Sequence, residues 1–111
     1  MGAMQAQPAK QPSPLFKKAQ KIKGQIDNLI SKMHKEPNYT PTQDLLDGYA
    51  ESIIDFINDN HVKTAPYESY LKAAIIDLTE VPQMAPQMQR IAFLTALKDA
   101  SKELDFYLGC C

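Results

Sequence analysis

The feature that most constrains this chain is an unbroken apolar seam that starts just after Ser13-Pro14 and ends before Lys35. Leu15, Ala19, Ile22, Ile26, Leu29 and Met33 follow one another at 4, 3, 4, 3 and 4 residues. That spacing places them on one face of an α-helix. Phe16 and Ile30 widen the seam to the stripe a globular bundle needs. Ser13 suits the cap and Pro14 the first helical position, where a missing N–H costs nothing. A helix over 14–35 with lysines on its other face cannot stand alone in water, so something must cover its stripe.

The rest of the chain supplies three more stripes of the same period. Pro37 stops the first helix. Thr40-Pro41-Thr42-Gln43 then reads as a cap, a first helical residue and a capping box for a helix over about 41–58. Its seam is Leu46, Ala50, Ile53 and Ile57, widened by Leu45, Tyr49, Ile54 and Phe56. Turn-favouring Asn58, Asp59 and Asn60 should end it. A third helix, about 65–80, carries Tyr67, Leu71, Ala74, Leu78 and Val81. With Tyr70, Ala73, Ile75 and Ile76 around that seam, it is expected to be the most buried of the four. A loop bounded by Pro82 and Pro86 leads to a fourth helix, about 86–108, with Phe93, Leu97, Ala100, Leu104 and Tyr107 in register. Gly109 stands where a left-handed cap belongs.

Four such helices joined by short loops predict an all-α fold: an antiparallel up-down-up-down four-helix bundle over 13–109 with a disordered N-terminal tail. The tail is 1–12, a Gln/Ala/Pro stretch without periodicity, in which residues 1–3 read as a cloning remnant ahead of Met4. At 111 residues the chain is one domain with enough buried surface for a core. No apolar run is long enough to span a membrane, and the polar N-terminus lacks a signal-peptide core. The only cysteines are Cys110 and Cys111. They form no disulfide framework, which fits a reducing, cytoplasmic setting, or a host-cell interior if the protein is an effector.

The Cys110-Cys111 end resembles the doubly prenylated terminus of Rab-type GTPases. The phosphate-binding GxxxxGK(S/T) loop of that family is absent, and the chain is too short for its domain. What the resemblance implies is confined to the end itself: lipidation of the two thiols, or a cross-link between chains. The simpler reading is a frayed end with two free thiols.

Net charge is −1, yet the charges are segregated by sign. The first 36 residues carry Lys10, Lys17, Lys18, Lys21, Lys23, Lys32 and Lys35 against Asp27 and Glu36. The second helix carries Asp44, Asp47, Glu51, Asp55 and Asp59. Complementary solvated faces on neighbouring helices account for this, as does a lysine face for nucleic acid or anionic lipid. The second account is weakened because Arg90 is the only arginine, and Phe16, the one aromatic of the first helix, is expected in the core.

Chemistry is hard to assemble. His34 and His61 flank the second helix, roughly 30 Å apart, so they cannot share a metal. No HExxH, CxxC or paired ExxH motif is present. Neither histidine has an evident carboxylate to orient it. The expectation is a protein that is not an enzyme and needs no cofactor or metal. Its function would be a non-catalytic protein–protein interaction module: an adaptor, a chaperone-like subunit or a small inhibitor or effector. The expected contacts are the lysine face (Lys17, Lys21, Lys32) or the acidic face (Asp44, Asp47, Glu51, Asp55). The alternatives are a nucleic-acid or anionic-lipid binder and a homo-oligomeric structural protein, a homodimer being the simplest. Gly24 and Gly48, each costly inside a helix, mark surfaces where another backbone could come close. Met84, set between two prolines, hints at a binding edge. Tyr39, in a loop, is a candidate exposed contact.

Overall fold

The computed structural model describes residues 14–110, and of residues 61–63 the backbone alone. The N-terminal tail and Cys111 lie outside the described residues. Within them are four α-helices and no strand: α1 (Pro14–Lys35), α2 (Gln43–Thr64), α3 (Glu68–Thr79) and α4 (Pro86–Gly109). They form a helical bundle in which α3 packs on α4, α1 on α4 and α2 on α3, while the α1–α2 seam is the least closed.

The heptad seams build the core. Ala19, Ile22, Ile26, Leu29 and Met33 of α1 are buried against Leu46, Ala50 and Ile53 of α2, Leu71, Ala74 and Leu78 of α3, and the whole α4 seam from Phe93 to Tyr107. In α2, Phe56 is buried where the spacing favoured Ile57, which is only partly covered. Its ring meets Tyr107 edge-on at 5.9 Å and 88°, a favoured geometry for two aromatic rings.

Helix boundaries depart from the sequence pattern where tertiary contacts outrank local ones. Pro41 is buried ahead of α2, and the helix opens at Gln43. Thr42 does the capping: the Leu45 N–H donates to Thr42 Oγ1 at 3.3 Å. Gln43 closes no capping box; its Nε2 donates across the bundle to the Leu78 carbonyl at 2.8 Å and to Asp47 at 2.8 Å. At the other end α2 kinks at Asn60 (φ −134°, ψ 24°) and continues to Thr64. The Asn60 amide donates to the Phe56 carbonyl at 2.9 Å, and Thr64 is fully buried. A 3-10 turn, Ala65–Tyr67, then leads into α3.

The expectation that the third helix is the most buried fails. Three of its twelve residues are buried, the same share as six of twenty-four in α4. Ile76 faces outward, and Tyr67 is exposed. Gly109 takes no left-handed conformation; α4 closes through right-handed Cys110.

Arg90, half-buried near the start of α4, ties two distant parts together. Its Nε donates to the Tyr39 carbonyl at 3.2 Å and its Nη2 to the Met33 carbonyl. A guanidinium there satisfies one carbonyl at the end of α1 and one in the loop before α2. Ser101 of α4 donates its hydroxyl to Asp27 of α1, which Lys23 also contacts at 2.7 Å.

Candidate functional site

Two surfaces stand out, one on each half of the bundle. The first is the cleft left by the loose α1–α2 seam. Lys18 and Lys21 line its α1 side, Asp55 and Asp59 its α2 side, and Ile22 and Phe56 lie between. Past Gln25 and Ser52 it continues to Asn28, Asp44, Gly48 and Tyr49. Burial, with Tyr39 nearby, pushes the Tyr49 hydroxyl above its ordinary value, so it stays neutral.

The sign-segregated faces meet here without touching. Among the described residues the ion pairs are Lys23–Asp27 and Lys72–Glu68, each within a single helix. Of the residues expected to bind a partner, Lys21 and Asp55 face each other across the cleft, and Asp44 lines its far end. Lys17, Asp47 and Glu51 are exposed outside it. Lys32 lies over the Tyr39 ring, 4.2 Å from its centre. Tyr39 is therefore no exposed contact: it is half-buried, packed on the core, and its carbonyl is held by Arg90. Neither Gly24 nor Gly48 has a close neighbour, since a Cβ at either would meet nothing within 4 Å. His34 is exposed, and Cys110 is a free, half-buried thiol.

The second surface runs along the outer side of α3 and α4. On α4, Met88, Ala92, Thr95, Asp99, Glu103 and Phe106 recur at 4, 3, 4, 4 and 3 residues. This is a second stripe beside the buried seam. Opposite it stand Tyr70 and Asp77 of α3 and Glu80 just past its end. The Tyr70 and Phe106 rings pack at 5.8 Å. A shallow cleft of about 320 Å³ opens further along, with Ile76, Asp77 and Val81 facing Ala92, Thr95 and Asp99. Burial, then the like charges of Asp99 and Glu103, raise the Asp77 carboxyl above its ordinary value.

Every large hydrophobic residue that is exposed among the described residues lies on this half. Tyr67, Ile76, Met84, Met88, Ile91 and Phe106 are 39–54% exposed. Met84 is held there by its surroundings: Gln89 accepts the Met84 N–H at 2.8 Å and donates to the Pro82 carbonyl at 3.0 Å. The α3–α4 connection is thus tied down with its methionine pointing into solvent.

The α3–α4 cleft is lined by carboxylates, small residues and aliphatics, with no histidine, cysteine or lysine. Among the described residues no group of three His, Cys, Asp or Glu side chains could hold a metal ion. Nor is any helix long and apolar enough to cross a membrane. Of the α3–α4 face the sequence pointed only to Met84 as a binding edge, while Ile76 and Tyr67 were assigned inward. The signal available was the second stripe on α4. No family model, curated protein or solved structure matches this chain.

Proposed function

We propose that this protein is a non-catalytic protein–protein interaction module, an adaptor, chaperone-like subunit or small inhibitor, and that it docks its partner on the α3–α4 half. One observation carries the reading: the exposed large hydrophobic residues are gathered between Tyr67 and Phe106, while the exposed surface of α1 and α2 is polar. Clustered exposed apolar residues with a polar surround are the usual mark of a docking surface. The charged residues Lys17, Lys21, Lys32, Asp44, Asp47, Glu51 and Asp55 fit a steering role, since exposed charges set encounter rate more than affinity. The lysine face is a poorer candidate for phosphate, because Asp55 and Asp59 stand across the cleft from Lys18 and Lys21.

Site-specific photo-cross-linking in source-cell lysate tests this. A benzophenone amino acid at Met84 or Met88 should give a discrete protein adduct that survives nuclease, and the same group at Gln25, in the α1–α2 cleft, should not. Adducts from Gln25 alone, or nuclease-sensitive adducts, would overturn the assignment. An adduct of twice the chain mass would point to self-association.

A further inference from the structure

We infer that the α3–α4 face takes a basic amphipathic helix from its partner protein, with the partner's apolar ridge on Phe106, Ile76 and Met88 and its lysines or arginines against Asp77, Asp99 and Glu103. This rests on the interaction-module reading and adds the chemistry of the partner.

Shape is the first ground. The outer stripe of α4 from Met88 to Phe106 is about 27 Å long, and the facing stretch of α3 from Tyr70 to Thr79 is about 14 Å. Ala92 and Thr95 lie along the middle beside Ile76, while larger side chains stand towards the ends: Tyr70 and Phe106 at one, Met88 at the other. A shallow trough with raised apolar ends suits a helix of three to four turns whose anchors fall at i, i+7 and i+11.

Charge is the second, independent ground. Among the described residues no ion pair reaches Asp77, Asp99 or Glu103. The neighbouring cations are engaged elsewhere or left in solvent. Lys72 pairs with Glu68 at 2.9 Å, Lys102 lies over the Phe106 ring at 5.9 Å, and Lys98 is exposed. Asp77 carries the consequence, its carboxyl lifted by burial and by two like charges. A cation delivered by the partner would meet Asp77 and Asp99 in the cleft, with Glu103 close enough to act on Asp77. An acidic helix would be repelled there, and a neutral one would gain the apolar contacts alone. The α1–α2 cleft, lined by both signs, offers no such preference.

The test uses the full chain and a synthetic helical peptide of about 15 residues, with leucines on one ridge and lysines on both flanks. Two control peptides accompany it: the same helix with glutamates for lysines, and a scrambled sequence of the same composition. Fluorescence anisotropy measures affinity, and amide chemical shifts locate the site. The lysine helix should bind, move amides of α3 and α4, and weaken at least tenfold in Asp77→Asn/Asp99→Asn. Because Asp99 is exposed, Asp99→Asn alone keeps the test alive if the double variant folds poorly, with a loss of several-fold expected. The glutamate helix should not bind. Equal binding of the scrambled peptide, shifts confined to α1 and α2, or no binding at millimolar peptide would each overturn the inference. A chain that cross-links through Met84 yet ignores the lysine helix keeps its interaction role and loses this partner. Concentration-dependent sedimentation without peptide, abolished by Lys17→Glu/Lys21→Glu, would show instead that a second copy supplies the cations.

Discussion

The two halves of the bundle start from the same ingredient and end differently. α1–α2 and α3–α4 are each a pair of consecutive helices with a heptad seam buried in one core. Yet α3 and α4 pack most extensively, while α1 and α2 are the least closed pair. The difference lies at the edges of the seams. Between α3 and α4 these edges carry small residues, Ala92 and Ala96, so the helices come close. Between α1 and α2 they carry Lys18, Lys21 and Gln25 against Asp55 and Asp59, whose solvated heads hold a cleft open. Opposite charge on neighbouring helices thus does not close a seam. Exposed ion pairs return too little against side-chain entropy and solvation. The closed half then has its outer face free to carry apolar residues, and the open half keeps a polar one.

Arg90 is the sharpest place to break this arrangement, because it fastens α4 of the closed half to the end of α1 and the loop before α2. Arg90→Ala leaves the Met33 and Tyr39 carbonyls without a charged donor and should cost about 1.5–3 kcal/mol in urea unfolding. Arg90→Lys should recover only part of this, since one ammonium cannot reproduce the fork that meets two separate carbonyls. A loss below about 0.5 kcal/mol for the alanine variant would remove Arg90 as the fastening.

How much of this was legible in the sequence follows from the range of the interaction concerned. The seams were legible because burial repeats with the helix: each α4 position from Phe93 to Tyr107 that the spacing assigned to the core is buried. The cap of α2 was not, because Gln43 answers to Leu78, 35 residues away, and not to Thr40. Tyr39 looked like an exposed loop residue because nothing nearby in sequence announces Arg90, 51 residues away. Ile76 and Tyr67 were misplaced for a related reason. A short helix rich in apolar residues offers more candidates than one interface can cover, and periodicity alone does not choose among them. The charge segregation of α1 and α2 was plain in the sequence; that its two signs face each other over an open cleft was not.

A pair of substitutions sharpens the contrast by asking the same question of each half. Ala74 of α3 is fully buried, so Ala74→Leu must displace packed neighbours and should cost about 1–3 kcal/mol. Gly48 of α2 borders the open cleft with nothing near its Cβ position. Gly48→Ala should therefore gain about 0.5–1 kcal/mol, from helix propensity and a less flexible unfolded chain. Opposite signs in thermal denaturation would support the picture of one closed and one open seam. A loss at Gly48 would mean that the cleft is narrower in solution.

The smallest expected effect tests the electrostatics of the α3–α4 face. Because the Asp77 carboxyl is raised in the fold by burial, Asp99 and Glu103, the folded state holds its proton more tightly than the unfolded chain does. The sign follows from linkage: the stability associated with Asp77 is present below the ordinary carboxylate value and is lost as pH rises through the raised one. At neutral pH the ionised group therefore works against folding. Asp77→Asn should stabilise the protein there by a few tenths of a kcal/mol, about the scale of a partly exposed charge. The difference should vanish in acid, where the native carboxyl is protonated. A destabilised Asp77→Asn at neutral pH would reveal that the ionised carboxylate has a favourable partner, and that the α3–α4 trough is already neutralised from within. The acidic character that sets this half apart from the mixed cleft of α1 and α2 would then be lost, and with it the preference for a basic helix.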